Sequence, residues 1–127
     1  MPEHAHLLIL PHEGSVVRRI LWHLKRPVTY RAIQWVRAGS PAFLQRMAQT
    51  EKGRTQYHFW QAGGGYDRNL WSVKDIHEKV KYIHENPVRR GLVASPGDWE
   101  WSSHRAWESD TDEPIRIDKD TLPPLVS

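Results

Sequence analysis

The chain has 127 residues, contains no cysteine and carries a formal net charge of +3. This length predicts one small domain. The lack of cysteine excludes disulfides and thiolate metal sites, and it favours a reducing, cytoplasmic location. No apolar run approaches the roughly 20 residues that span a bilayer, and the first residues do not form a secretory signal, so we expect no membrane partner.

Charge is distributed unevenly along the chain. Residues 1–94 contain 15 Lys and Arg against 7 Asp and Glu, whereas residues 95–127 contain 3 against 8. Between residues 15 and 55 there are nine basic residues, and Glu51 is the one acidic residue. Because a basic region gains free energy on binding a polyanion through counterion release, the composition favours nucleic-acid binding over a surface that serves only solubility.

The predicted elements begin with a strand followed by helices. Residues 4–10 alternate and then become continuously apolar, which is typical of a central strand. Residues 15–26 predict a helix capped by Ser15, and Pro27 is expected to kink or stop it. Ser40 and Pro41 predict the start of a further helix. The apolar stripe expected on the first helix consists of Val17, Ile20, Leu21, Leu24 and Val28.

The second half of the chain predicts two further helices. Residues 51–55 indicate a polar loop, and residues 57–60 indicate a short strand. Ser72 and Asp75 resemble a capping box that opens a helix to about Asn86, which Pro87 should end. A short helix is predicted over residues 102–107, and from residue 108 onward the chain is acidic and lacks periodicity.

Two histidines near the first residue form a candidate metal pair. In an extended segment, residues two apart point to the same side, so His4 and His6 are expected to face one divalent ion together, with Ala5 on the opposite side. The chain contains eight histidines. The alternative interpretation is therefore a chance pair of exposed imidazoles.

A second candidate group lies on the helix predicted from Ser72. At 100° per residue, Tyr82 and Asn86 lie about 40° apart and outside the apolar stripe of that helix. We expect the Tyr82 phenol and the Asn86 amide to point to one site. The alternative interpretation is that Tyr82 is an ordinary surface tyrosine. The apolar stripe itself spans about 80° and consists of Val73, Ile76, Val80 and Ile83.

These motifs resemble those of a known family. Residues 1–8 (MPEHAHLL) are similar to the histidine–hydrophobic–histidine (HUH) signature of single-tyrosine transposases. Residues 82–93 (YIHENPVRRGLV) are similar to the second signature of the REP-associated tyrosine transposases. Residues 59–61 (FWQ) and 99–103 (WEWSS) also match that branch, so the resemblance extends over roughly residues 1–107.

The resemblance implies an α+β fold, a ferredoxin-like sandwich of the single-tyrosine transposase type. It implies a catalytic domain over residues 1–107, followed by an acidic extended tail over residues 108–127. Related enzymes place a strand and a helix before the histidine motif, where this chain begins. We therefore expect a sandwich lacking its N-terminal strand and helix, arising either from a misassigned start codon or from a true truncation.

The resemblance also implies a reaction. His4, His6 and Asn86 would bind the metal ion, and Tyr82 would be the nucleophile that cuts and rejoins single-stranded or hairpin DNA through a 5′-phosphotyrosine link. A phenol is a weak nucleophile at neutral pH, and Mg²⁺ or Mn²⁺ can withdraw charge from the scissile phosphate. The enzyme would act as a monomer or a homodimer.

Basic and aromatic residues complete the predicted site. Arg89 and Arg90 directly follow the proposed catalytic helix and are the stronger candidates for phosphate contact. Trp99 and Trp101 resemble packing residues of the family, and His84 either faces the site or supports the fold. The other candidates for phosphate contact are Arg18, Arg19, Lys25, Arg26, Arg31 and Arg37.

Two other functions remain open from the residues. A DNA-binding relative without catalysis would bind in a salt-sensitive manner, without metal and without a covalent adduct. A metallohydrolase that uses His4 and His6 with a water nucleophile would work without Tyr82. The sequence specifies neither the DNA hairpin nor the native metal.

Overall fold

A computed structural model describes residues 1–61, 63, 65–109 and 111–124. The chain divides into two compact units. The helix–hairpin unit comprises Leu10–Asp67. The terminal unit comprises Met1–Ile9 together with Arg68–Ser127.

The helix–hairpin unit begins with α1, a 23-residue helix over Val17–Gly39. The prediction that Ser15 caps it was wrong, since the N-cap is Val16 and no side chain caps the helix. Pro27 lies inside α1 and does not end it. Proline removes one helical hydrogen bond, but the turns on both sides remain intact. The carbonyl of Lys25, two residues earlier, accepts hydrogen bonds from Thr29 Oγ1 at 2.9 Å and Trp60 Nε1 at 3.3 Å.

A short second helix follows almost at once. α2 covers Pro41–Arg46 with Ser40 as its N-cap, which confirms the predicted start at Pro41. The core of this unit is small, with Val36 of α1 and Leu44 of α2 as its buried apolar residues. The apolar stripe predicted on α1 is only partly covered, because Leu24 and Val28 remain 48% and 44% exposed.

An antiparallel hairpin that the sequence did not predict follows α2. β1 covers Ala48–Glu51 and β2 covers Arg54–Tyr57, with Glu51 opposite Arg54. The strand predicted over residues 57–60 was wrong beyond Tyr57, where β2 ends. The residues between them, Lys52 and Gly53, have φ values of 50° and 75°, which fits a type I′ turn that matches the twist of the strands. Residues 51–55 are therefore strand ends and a tight turn instead of a polar loop.

The terminal unit is organised around α3, which covers Val73–Arg89. The predicted N-cap is confirmed, because Ser72 Oγ accepts a hydrogen bond from the Asp75 backbone N–H at 3.0 Å. The Ser72 hydroxyl also donates to the Asp75 carboxylate at 2.8 Å. A serine cap satisfies one of the free N–H groups at the helix start.

The C-terminal end of α3 lies three residues beyond the predicted end. Pro87 is buried inside the last turn and does not close the helix. Gly91 closes it with φ 67°. The N–H of Leu92 donates to the Pro87 carbonyl at 2.9 Å, and the N–H of Gly91 donates to the Val88 carbonyl at 2.9 Å. This pair of bonds is a Schellman motif, which satisfies carbonyls that the helix end would otherwise leave free.

The segment at residues 4–10 is not a strand. Within the described residues the sheet consists of β1 and β2 alone, so the segment has no strand partner there. Leu7, Leu8 and Leu10 are 56%, 41% and 71% exposed. Continuous apolarity predicted a central strand, but a strand also requires backbone partners on its edges.

Aromatic packing in the terminal unit also differs from the prediction. Trp101 is 67% exposed, so its predicted role in the core was wrong, whereas Trp99 is partly buried. His84 is buried and its Nε2 lies 3.0 Å from Ser103 Oγ. The His84 and Trp107 ring centroids are 6.1 Å apart. His84 therefore supports the packing of α3.

The remaining elements of the terminal unit are short. A 3-10 helix covers Pro96–Asp98, and α4 covers His104–Glu108, close to the helix predicted over residues 102–107. Beyond α4, residues 109 and 111–124 contain no helix or strand, and the carbonyl of Pro123 lies 2.9 Å from Nε2 of His77 on α3.

The described residues form an α+β structure with four α-helices and one two-stranded antiparallel sheet. Whether this chain adopts the ferredoxin-like arrangement stays a prediction. Among the helices of the described residues, none combines the length and apolarity needed to cross a membrane.

Candidate active site

The N-terminal segment turns two imidazoles to the same side. His4 and His6 are partly buried, whereas Ala5 between them is exposed. The Nε2 atoms of His4 and His6 are 3.1 Å apart, and their ring planes are nearly perpendicular, at 86°. The alternation expected of an extended segment therefore holds without a sheet, because it depends only on the local backbone.

The same imidazole pair lies beside the predicted tyrosine. The ring centroids of His6 and Tyr82 are 5.7 Å apart, in an edge-to-face arrangement with an angle of 78° between the planes. Both residues belong to the terminal unit. Three of the four residues predicted for the catalytic centre thus form one cluster, which we call the His–Tyr cluster (His4, His6 and Tyr82).

The fourth predicted residue, Asn86, lies one helical turn after Tyr82 on α3. Its side chain is 8% exposed, whereas that of Tyr82 is 37% exposed. Asn86 is therefore buried although it lies outside the apolar stripe of α3. The helical pattern alone shows one buried face, and it cannot show that a second face of α3 lies against another segment.

Two cations flank the ring of Tyr82. The Lys79 ammonium lies 4.8 Å from the ring centroid, and the Arg89 guanidinium lies 5.5 Å from it. Lys79 precedes Tyr82 by three residues, a spacing that places both side chains on one face of a helix. This contact was not predicted, although the spacing is visible in the sequence. The two cations make the surroundings of the phenol attractive to a phosphate.

The two arginines predicted to bind DNA near this cluster are both paired with carboxylates. Arg89 contacts Glu85 at 2.7 Å, and Arg90 contacts Glu3 at 2.6 Å. Glu3 Oε1 also lies 3.4 Å from His4 Nδ1. The Glu3–Arg90 pair joins the N-terminal segment to the end of α3. Exposed pairs of this kind contribute only about 0–1 kcal/mol, so a phosphate can compete for either arginine.

The pKa values of two residues in this region are shifted. Burial lowers the pKa of His6 below its usual value, and the neighbouring His4, the N-terminal amine and Lys79 act in the same direction. A hydrogen bond to its own backbone, with Arg90 and His4 as further causes, lowers the pKa of Glu3. The lowered pKa of His6 favours its neutral form, which is the form that binds a metal.

The spacing of the two imidazole nitrogens bears on whether they could share a divalent ion. Two ligand nitrogens about 2.1 Å from one ion are about 3.0 Å apart at an octahedral right angle and about 3.4 Å apart at a tetrahedral angle. The imidazole Nε2 atoms, which are within hydrogen-bond distance of each other at 3.1 Å, lie in that range. Within the described part of the chain, no three His, Cys, Asp or Glu side chains are placed to share an ion. The two imidazoles fit the pair of ligands that the sequence predicted.

The other predicted DNA contacts belong to the helix–hairpin unit. All six lie on α1, whereas the His–Tyr cluster belongs to the terminal unit. They are Arg18, Arg19, Lys25, Arg26, Arg31 and Arg37. The guanidinium of Arg37 stands 5.9 Å from the ring centroid of Tyr57.

Comparison with known proteins gives one informative similarity. The chain is 30% identical over 107 residues to a protein of Haemophilus influenzae whose name assigns it provisionally to the REP-associated tyrosine transposases. The matched region covers 83% of this chain and 56% of that protein, so the chain spans little more than half the length of its relative. No family model matches the chain, and no solved structure matches it. The similarity supports a transposase-like protein.

Proposed function

We propose that this protein is a transposase-like enzyme that cuts and rejoins single-stranded DNA, with Tyr82 as nucleophile. One observation carries the proposal: the rings of His6 and Tyr82, 76 positions apart in the sequence, lie 5.7 Å from each other. The distant similarity to a protein named as a tyrosine transposase supports the same reaction class. The chain spans 56% of that relative, so the transposase activity suggested by the relative's name is a proposal for this chain.

In the proposed reaction, the Tyr82 hydroxyl attacks a phosphodiester of the DNA. A bond forms between the phenolic oxygen and phosphorus, and the bond from phosphorus to the 3′ oxygen breaks. The phenolic proton is lost to solvent, and the departing 3′ oxygen takes up a proton. The products are a 5′-phosphotyrosine and a free 3′-hydroxyl. Because the phosphodiester energy is retained, a 3′-hydroxyl can attack the link and rejoin a strand.

The neighbours of Tyr82 have separate proposed roles. His4, His6 and Asn86 would hold Mg²⁺ or Mn²⁺, which when bound would neutralise charge on the scissile phosphate. Lys79 and Arg89 flank the phenol and attract the DNA backbone to it. The partly buried position of His4 and His6 limits their movement, which favours a fixed ligand geometry.

A covalent adduct tests this proposal directly. The protein is incubated with hairpin-bearing single-stranded DNA and Mn²⁺, and the products are separated on a denaturing gel. We expect an adduct with the wild type, no adduct with Tyr82→Phe, and an unchanged adduct with Tyr66→Phe. Tyr66 is a suitable control because it is 87% exposed and lies in the other unit. An adduct that persists in Tyr82→Phe would remove Tyr82 from the reaction.

The histidines are tested in the same assay. His6→Ala should abolish the adduct while leaving DNA binding within about twofold, and His12→Ala, at an exposed position outside the cluster, should do neither. The result also separates the alternatives. DNA binding without any adduct would indicate a binding module, and cleavage that is retained in Tyr82→Phe would indicate a hydrolase with a water nucleophile.

A further inference from the structure

A groove in the helix–hairpin unit is not part of the proposed active site. It has a volume of about 570 Å³ and lies along α1 beside β2. Its side chains are mainly aromatic and basic. The aromatic residues are Trp22, Tyr30 and Tyr57, and the basic residues are Lys25, Arg26 and Arg37. We call it the α1 groove.

The residues of the α1 groove follow one face of the helix. Trp22, Arg26, Tyr30, Ile33 and Arg37 lie within about 80° of one another at 100° per residue, and all five line the groove. Aromatic and basic side chains therefore alternate along a single strip of α1. A strip of this kind runs parallel to the helix and suits an extended ligand.

The charges of α1 have one sign. The helix contains six basic residues and no acidic residue. Among the described residues, Arg26 and Arg37 form no ion pair; they stand over aromatic rings instead. The Arg26 guanidinium lies 4.8 Å from the Trp22 centroid, and the Arg37 guanidinium lies 5.9 Å from the Tyr57 centroid. These cations are held in place without neutralisation, so they can bind an anion.

The aromatic rings of the groove remain accessible. Trp22 is 51% exposed and Tyr30 is 67% exposed. Exposed aromatic side chains beside unpaired cations are the combination that binds single-stranded nucleic acid, because bases stack on the rings and phosphates contact the cations. Because α1 contains no acidic residue, an anionic strand is a better occupant than the α1 face of a second copy.

We propose that the α1 groove binds single-stranded DNA, with unpaired bases stacked on Trp22 and Tyr30 and phosphates held by Arg26 and Arg37. This inference rests on the proposed function, because it takes the DNA substrate as given. It adds aromatic residues to the predicted contacts, and it separates the basic residues of α1 into those that line the groove and those that do not.

The aromatic contribution is tested with two matched variants of the full chain. Trp22→Ala removes a ring from the groove, and Trp35→Ala removes a ring that is 79% exposed on the opposite side of α1. Binding of a labelled 12-nucleotide oligothymidine is followed by fluorescence anisotropy with EDTA present, so that no cleavage occurs. We expect a loss of about 5- to 150-fold in affinity for Trp22→Ala, and less than twofold for Trp35→Ala.

An abasic strand of the same length separates stacking from charge. It retains the phosphates but has no bases, so Trp22→Ala and the wild type should bind it equally. Arg26→Gln should make the dependence of log affinity on log salt shallower by about 0.7. Arg46→Gln, at an exposed position of the same unit outside the groove, should leave it unchanged. Equal effects of Trp22→Ala and Trp35→Ala, or of Arg26→Gln and Arg46→Gln, would overturn the proposal.

Two further readouts keep the result unambiguous. Circular dichroism checks that each variant is folded, and Tyr30→Ala replaces Trp22→Ala if that variant is not. Sedimentation equilibrium detects the competing occupant: a dimer that Trp22→Ala dissociates without changing DNA affinity would assign the groove to a second copy and overturn the proposal. The affinities are measured with EDTA, where no adduct forms, whereas the Tyr82 adduct is measured on the wild type with Mn²⁺, so failure of the groove and failure of the proposed reaction are distinguishable.

Discussion

Replacing Gly91 with alanine is expected to destabilise the end of α3. Gly91 has φ 67° and closes the Schellman motif through its N–H bond to the Val88 carbonyl. A Cβ at this position would meet no atom within 4 Å, so steric collision contributes nothing and the cost is that of the left-handed backbone. An L-residue in this conformation costs about 1–2 kcal/mol.

The net change is smaller than the backbone cost. Alanine restricts the unfolded chain more than glycine does, which offsets about 0.4–1 kcal/mol. We therefore expect Gly91→Ala to lower the free energy of unfolding by about 1 kcal/mol, which is a urea midpoint shift of about 0.5 M if the m-value is near 2 kcal/mol/M. Urea titrations followed by circular dichroism measure this shift. Gly91→Asn should lose less, because asparagine tolerates the left-handed region better.

Gly97 provides the matched control in the same unit. It lies in the 3-10 helix without a positive φ, and a Cβ there would meet His104 Nδ1 at 3.9 Å and Ser95 Oγ at 4.0 Å, which are ordinary contacts. Gly97→Ala should therefore leave the midpoint unchanged or raise it slightly. The reasoning is refuted if Gly91→Ala and Gly97→Ala shift the midpoint equally, or if Gly91→Ala is as stable as the wild type.

Three further predictions concern the terminal unit. Ser72→Ala should cost about 1 kcal/mol in urea titrations through loss of the N-cap, and Ser72→Asp should restore most of it; no loss would contradict the observed cap. Glu3→Gln removes the carboxylate that pairs with Arg90, so Arg90 should become free to contact a phosphate. The slope of log affinity against log salt for single-stranded DNA should then become steeper by about 0.7. An unchanged slope in anisotropy titrations would count against this. Burial, followed by the charge of His104, lowers the pKa of His84 from 6.5 in the folded protein. As the pH falls, His84 is therefore protonated in the unfolded chain before it is protonated in the folded one. The free energy of unfolding should decrease as the pH falls below 6.5. His84→Gln should flatten that decrease in urea titrations at pH 7 and pH 5.5, and an identical pH dependence would argue against it.

The elements defined by local signals were predicted well. Ser40 with Pro41 and Ser72 with Asp75 were identified as helix starts, and both helices begin there. The Ser72 cap is a hydrogen bond between residues three apart, and Pro41 has a φ that suits the first helical position, so the local sequence contains most of the information. The hairpin at Lys52 was missed because its strands are polar and its turn lacks the usual Asn-Gly or Asp-Gly pair.

The two internal prolines show where local rules were insufficient. Both were expected to interrupt a helix, yet Pro27 lies within α1 and Pro87 within α3. A proline removes one hydrogen bond and introduces crowding that costs about 3 kcal/mol, and packing of the surrounding turns can exceed that amount. Pro87 is buried against its own unit, which is a property of the tertiary structure that the local sequence does not contain.

The candidate site also combines features that follow from the local sequence with features that depend on tertiary packing. The sequence by itself determined that His4 and His6 face one side and that Tyr82 and Asn86 share a helix, because both relations follow from the backbone period over two to four residues. Only the tertiary structure decided that His6 lies beside Tyr82, that Glu3 pairs with Arg90 and that residues 4–10 remain outside a sheet. These features depend on which distant segments pack together, and packing is a property of the whole chain that no local pattern encodes.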